Sequence, residues 1–276
     1  PNIMLRQKSI TLNNIKSPRE ISLATLVHCF YPEHLEILLN YIKYMPKWNH
    51  LYISTDSIPK KEIISKSLVK AGISLAEIRV FPNIGWDIAP FLVGFQDVIR
   101  THDLILKIHV KASTSIEAYR ANEWRTLLYA SLLGDTTHIN QIINLFCEDT
   151  ELGMLAPPNW IWLPELSQRG NKQNLKWLFQ KLDIPITSDN AIDFPAGSMF
   201  WARSAALKPL LGLGLTLGDF EPTDPSQRDG TLAHAIERIF FFSCAKADYH
   251  WGRVPPPPYT TLDANHYVSP QVRSIF

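Results

Sequence analysis

Apolar and polar positions follow two rhythms along this chain: short solid apolar runs, and longer stretches in which apolar residues recur at helical spacing. Ile21 to His28 is an apolar, β-branched run that ends in the loop-like His28-Cys-Phe-Tyr-Pro32, the pattern of a buried strand. Pro32 and Glu33 then open a helix whose apolar positions Leu35, Leu38, Leu39 and Ile42 keep the helical period. The same alternation repeats. Leu51–Asp56, Glu77–Phe81 and Asp103–Val110 read as strands, and Lys60–Gly72 and Ile88–Arg100 as the helices between them. Further on, Tyr119–Leu133 and Thr136–Cys147 read as helices, with Asp135 as a start signal. Leu152–Ala156 is a fifth strand, and a helix is predicted around Asn174–Leu182. The stretch 208–228, rich in Gly, Pro and Asp, reads as a loop or lid, and Lys246–His250 as an edge strand.

Strands alternating with helices of this length predict a mostly parallel central sheet in a three-layer α/β/α fold. Residues 1–20 read as a polar lead-in, 21–254 as one domain, and 255–276, opening on a run of prolines, as a tail. In such sheets ligands lie beyond the C-terminal ends of the strands. The polar residues collect there: His28 and Tyr31, Thr55 and Asp56, Asn83 to Asp87, and His109 with Lys111.

Composition narrows the function. A net charge of +1 over 276 residues argues against a nucleic-acid binder driven by phosphate neutralisation. Cys29, Cys147 and Cys244 are widely spaced and odd in number, which suits buried thiols in a reducing compartment. No apolar run has membrane-spanning length. The chain opens on Pro1, as a part trimmed from something longer would.

Two late stretches carry most of the chemistry. Phe194 to Arg203 sets a permissive Ala196-Gly197 turn before an aromatic strand, which suits a ligand pressed close to the backbone. Asp229 to Arg238 opens on Asp-Gly-Thr, a helix start, and carries His234, Glu237 and Arg238 at helical spacing. Asp229 at that helix mouth is the first candidate for a catalytic base, Glu237 the second, and His234 a positioning group. The His234/Glu237 pair has metal-ligand spacing, but no further ligand is identifiable, and a structural salt bridge or a helix-capping pair is the commoner meaning. In Asn83-Ile-Gly-Trp-Asp87, Gly85 would admit a close ligand while Asn83 and Asp87 offer polar contacts. Lys107, His109 and Lys111 alternate onto one strand face and would meet a diphosphate.

Taken in order, Asn-x-Gly-x-Asp, Lys-Ile-His-x-Lys, Leu-Gly-Met-Leu-x-Pro, Phe-Pro-Ala-Gly-x-Met-Phe-Trp-x-Arg and Asp-Gly-Thr-Leu-Ala-His-Ala-Ile-Glu-Arg resemble the rhamnan synthesis protein F family, from about Leu23 to Phe241. The resemblance implies a GT-A-like nucleotide-sugar-binding fold. It also implies a glycosyltransferase acting in bacterial O-antigen, rhamnan or capsule assembly at the cytosolic face of the inner membrane. The donor would be of the dTDP-rhamnose or UDP-galactofuranose class, and the acceptor a lipid-linked or growing glycan. His28, Tyr31, Asp56, Asn83, Gly85, Asp87, His109, Lys111, Ala196 and Gly197 would bind the donor. Position 86 is Trp where the family pattern expects Arg, so a cationic contact is lost or moved. Lys-Ile-His-x-Lys stands where GT-A enzymes carry a metal-holding Asp-x-Asp. No cofactor is therefore expected, with room left for a divalent metal. The non-enzymatic alternative is a silent nucleotide- or glycan-binding module of a larger assembly protein.

Overall fold

The computed structural model describes residues 21–110, 118–159, 169–185, 192–227 and 229–257. The lead-in 1–20, Lys111 and nearly all of the proline-rich tail lie outside the described residues.

The elements follow the predicted alternation. They run β1 (Leu23–His28), α1 (Leu35–Ile42), β2 (His50–Thr55), α2 (Ile58–Lys70), β3 (Ala76–Val80), α3 (Gln96–Thr101), β4 (Leu104–His109), α4 (Ala118–Leu132), α5 (Thr136–Glu148), β5 (Leu152–Ala156), α6 (Lys172–Lys181), β6 (Phe200–Arg203), α7 (Lys208–Leu211), α8 (Leu232–Lys246) and β7 (His250–Arg253). Local chemistry sets their ends. Ser57 caps α2 by accepting from Lys60 N, Asp135 caps α5 by accepting from His138 N, and Thr231 caps α8 by accepting from His234 N.

The seven strands form one sheet in the order β3-β2-β1-β4-β6-β5-β7. β1 pairs parallel with β2 and β4, β2 with β3, and β5 with β7. Only β6 is reversed, antiparallel to both β4 and β5. The sheet is thus mostly parallel, with helices on both faces as predicted. Its central strands are buried on both sides, which is why they read as solid apolar runs. Alternate residues feed two cores. Ala24, Leu26, Ile105, Met154 and Phe200 pack with α3, α6 and α8. Leu23, Val27, Leu106, Ile108 and Trp201 pack with α1, α2, α4 and α5.

Four expectations need correction. The helix expected over Ile88–Arg100 is split into a π turn, Pro90–Gly94, and α3. Gly94 O accepts from Arg79 Nη1 at 2.9 Å, and the bare Cα of Gly94 lies against the Phe81 ring, so this backbone is drawn out of a regular helix. The edge strand starts at His250 instead of Lys246, because α8 runs through Lys246 and turns at Asp248, φ 63°. The segment 208–228 is not a free lid. It contains α7 and a 3-10 turn at Leu217–Asp219, and it is pinned to the loop after β3 by the Ile84–Pro222 bridge and by Thr223 N donating to Asn83 O. Finally, Cys29 and Cys244 are buried thiols but Cys147 is exposed. Among the described residues no helix is long and apolar enough to cross a membrane.

Candidate functional site

The floor of the site is an ammonium group inside the protein. Lys107 sits in β4 between apolar neighbours and is 2% exposed. Its Nζ donates to Asp87 Oδ2, to Ser198 O at 2.6 Å and to Ser198 Oγ at 2.8 Å, so its three N–H groups meet three acceptors. Phe91 and Phe200 flank it with ring centroids 5.4 and 5.8 Å away. One buried charge therefore joins the loop after β3, the middle of β4 and the turn before β6.

The turn comes within reach because β6 is antiparallel to β4. Phe200 pairs with Lys107, so the residues entering β6 lie beside the C-terminal end of β4. Gly197 (φ 89°) and Ser198 (φ 56°) hold left-handed backbone there. Gly197 N donates to Glu237 Oε1 at 3.0 Å, tying the turn to α8. The two late sequence stretches therefore meet at one point.

Around this floor stand three histidines. His28, at the end of β1, shares a hydrogen bond with Ser54 Oγ at 2.9 Å. Burial pushes its imidazole pKa down to about 4, against the opposing pull of Asp87; His109, Lys107 and Asp56 are also within electrostatic reach. His109 Nδ1 is 3.6 Å from Asp87, and Tyr129 donates to His109 O at 2.9 Å, fixing the strand end. His234 shares a 2.6 Å hydrogen bond with Thr231 Oγ1 and lies edge-on to the Trp86 ring, centroids 5.6 Å apart. Burial lowers its pKa too, against the nearby Asp229. Burial alone would raise the Asp87 carboxyl, but Lys107 and His109 overcome it and hold the group well below the usual carboxylate range. At neutral pH the imidazoles of His28 and His234 are held neutral by burial beside the Lys107–Asp87 ion pair.

Several predicted residues are placed differently from expectation. Asp229 does not open α8; Thr231 caps that helix. The Asp229 carboxylate accepts from Asn171 Nδ2 at 2.5 Å and Gly170 N at 3.3 Å and pairs with Arg238 at 3.1 Å. Although burial opposes it, the bond from Asn171 and the charge of Arg238 lower its pKa, so the carboxylate is held ionised as a clamp between the residues before α6 and α8. Gly85 is needed for packing: a Cβ there would lie 2.6 Å from Ala89 Cβ and 2.7 Å from the Phe220 ring. At Gly197 the near neighbours are likewise protein, Leu128 and Trp124 of α4 at 3.2 Å from an added Cβ, and Ala196 is buried. Asn83 is engaged through its carbonyl by Thr223 N. Asp56 is paired with Lys60 at 2.7 Å, and Tyr31 packs edge-on against Phe30.

Ser198 and Trp86 are participants the sequence reading left out, and Lys107, expected to meet a diphosphate, instead lies buried with its ammonium on Asp87 and Ser198. A lysine within Leu104-Ile-Leu-Lys-Ile, an otherwise solid apolar run, signals a buried charge that needs a partner. Trp86 (φ 57°), whose N donates to Thr223 Oγ1 at 3.0 Å, has no such signal. Among the described residues no three His, Cys, Asp or Glu side chains gather as a metal site. Asp87 already holds the Lys107 ammonium, so among the described residues it is not a donor free for a divalent ion.

Two outcomes follow. Lys107→Met leaves Asp87 buried without its cation and should cost about 3–5 kcal/mol in chemical denaturation, while Lys107→Met with Asp87→Leu recovers part of the loss. His28 supplies the second. Its folded pKa, about 4, lies below the unfolded value of 6.5, so between these values the unfolded chain binds more protons. Its contribution is complete above pH 6.5 and is lost as pH falls towards 4, by up to about 3 kcal/mol. Urea titrations from pH 7 to 4 should show this slope flattened in His28→Asn.

The family profile of rhamnan synthesis protein F matches residues 1–249. An uncharacterized protein, WxcX, of Xanthomonas campestris pv. campestris strain B100 is 35% identical over 219 residues, 79% of this chain and 30% of the relative; a second strain carries the same match. The chain thus spans 30% of the length of these relatives. Among solved structures, the mannosyltransferase PcManGT from Pyrobaculum calidifontis, in complex with GDP-Man and Mn2+, aligns over 87% of this chain and 56% of its own, with TM-score 0.42 and 12% identity. Glucosyl-3-phosphoglycerate synthase from Mycobacterium tuberculosis aligns over 74% of this chain and 65% of its own, with TM-score 0.37 and 8% identity. These two alignments are too loose to bear on residue roles. The profile match covers nearly the whole chain, and the protein belongs to the rhamnan synthesis protein F family.

Proposed function

We propose that this chain is a glycosyltransferase domain that moves a sugar from a nucleotide-diphosphate donor to a growing bacterial surface polysaccharide. The observation that carries this reading is the meeting of His28, Asp87, His109, Gly197 and Glu237 beyond the C-terminal strand ends, in a member of a rhamnan synthesis family. The donor is of the dTDP-rhamnose or UDP-galactofuranose class, and the acceptor is a lipid-linked or growing glycan. The domain comprises residues 21–254 and works within a larger assembly protein on the cytoplasmic side of the inner membrane.

In this reading the nucleotide lies over β1, β2 and the loop after β3. His109, with Lys111, faces the diphosphate, where leaving-group charge develops. Glu237 takes over from Asp229 as the base. Its Oε1 accepts from Gly197 N, and its Oε2 lies 4.0 Å from Arg238 Nη1, which sets the carboxylate between the turn before β6 and α8. Glu237 removes the proton of an acceptor hydroxyl as that oxygen bonds to the anomeric carbon. The bond from that carbon to the diphosphate oxygen breaks, and the nucleoside diphosphate leaves with the electron pair. His234 and Trp86 position the acceptor.

Release of nucleoside diphosphate from a panel of nucleotide sugars tests the assignment. Glu237→Gln should lower kcat by about 10²–10⁴-fold with donor affinity unchanged. Asp229→Asn should instead lose about 3 kcal/mol of stability and keep measurable turnover. Wild-type turnover in Glu237→Gln rejects the base, and donor binding without turnover on any acceptor leaves a silent binding module. Because Lys107 and His109 occupy the β4 positions of an Asp-x-Asp, turnover should persist in excess chelator. Activity lost to chelator and restored by manganese overturns that point.

A further inference from the structure

A cavity of about 270 Å³ is lined by Gln173, Asn174 and Trp177 of α6, by Asp219 and Glu221, and by Leu232 at the start of α8. It lies next to the site: Glu221 O accepts from Gly85 N at 3.1 Å, and Asn174 Nδ2 donates to Gly230 O at 3.2 Å, beside Asp229.

The lining is unusual for mere surface. The buried stripe of α6 is Leu175, Leu178 and Phe179, and Trp177 is off that stripe, a large aromatic left 36% exposed. Gln173 and Trp177 are one helical turn apart, so the amide and the indole face the cavity together. Lys181 Nζ stands 6.0 Å from the Trp177 ring centroid and steadies it. The carboxylates of the cavity are themselves held in place. Asp219 Oδ2 accepts from Thr216 N and Oγ1 at 2.7 and 2.8 Å, which leaves Oδ1 for a ligand. Both Glu221 oxygens accept from Leu232 N, at 3.2 and 3.1 Å, and retain further lone pairs.

An aromatic ring, two carboxylates and two amides lining one cavity match one ligand chemistry. A pyranose ring offers a C–H face to the indole and an edge of hydroxyls that donate to carboxylates and exchange hydrogen bonds with amides. Among the described residues no Lys or Arg lines the cavity, and its charged groups are the carboxylates of Asp219 and Glu221, which favour a neutral ligand with hydroxyl donors over an anion. The volume lies near the small end of the range for small-molecule pockets, enough for a single ring. We propose that this cavity is a subsite for one neutral sugar ring of the glycan acceptor, with Trp177 as its platform and Gln173, Asp219 and Glu221 as its hydroxyl partners. That the ring belongs to the acceptor rests on the glycosyltransferase reading; that the cavity holds a sugar does not.

The test is a titration of the full chain with trisaccharides of rhamnose, mannose, galactose and glucose, and with uridine, following the Trp177 indole N–H signal by NMR. At least one trisaccharide should shift that signal saturably. Trp177→Ala should weaken its binding about tenfold or more, and Trp177→Phe less, with the unfolding midpoint and nucleotide-sugar affinity unchanged. If no trisaccharide shifts the signal, if uridine alone does, or if Trp177→Ala binds as tightly as the parent, the subsite is overturned. Saccharide binding in a chain that never turns over refutes the transferase reading and leaves the subsite standing. In an active chain, an acceptor KM unchanged by Trp177→Ala overturns its assignment to the acceptor.

Discussion

A lysine ammonium buried to 2% exposure is the constraint around which this molecule is arranged. An isolated charge in such a place is costly, and it is tolerated because the carboxylate of Asp87 and two oxygens of Ser198 surround it. Those partners come from segments far apart in sequence, so satisfying Lys107 fixes the loop after β3 and the entry to β6 at once. The same ion pair sets the electrical character of the cleft. With Asp87 committed to Lys107, what remains at the strand ends is imidazole, held neutral by burial at His28 and His234.

The reversal of β6 extends this organisation to the other half of the chain. Had β6 run parallel to β4, its N-terminal turn would lie at the opposite edge of the sheet, and Ser198 could not reach Lys107. Antiparallel pairing delivers Gly197 and Ser198 to the C-terminal end of β4, where Glu237 on α8 receives the Gly197 amide. Asp229, Asn171 and Arg238 lock the approach to α8 from behind. The 219–223 segment couples that lock to the Gly85 turn, which closes over the Phe220 ring.

Much of this was legible in the residues. The solid runs of β1, β4 and β5 signal strands buried on both faces, and Ser57 and Asp135 mark helix starts through their capping chemistry. The gathering of His28, Asp87 and His109 followed from parallel topology alone. What the residues could not show is their tertiary partners. Asp229 has the look of a helix-mouth base, yet Asn171, some 58 residues away, and Arg238 take up its carboxylate. Gly85 and Gly197 invite a ligand in the sequence, while the space beside them is filled by Phe220, Leu128 and Trp124. No local pattern distinguishes a glycine that admits a ligand from one that admits a neighbouring ring.

The position of β6 also bears on how the chain is made. In sheet order it lies between β4 and β5, although β5 precedes it in sequence. During synthesis β1 to β4 can pair as they emerge, but the outer edge of β4 stays open until residues 200–203 arrive, nearly a hundred positions later. Throughout that interval a largely apolar strand edge lacks its partner, with the Lys107 ammonium still without its Ser198 oxygens. β5 and β7 have no place on the sheet before then, since β6 is the only strand joining them to β4. Nascent chains that stall in this window would be aggregation-prone, and a charge planted in that edge, averse to a dry contact with another strand, is a safeguard well matched to the hazard.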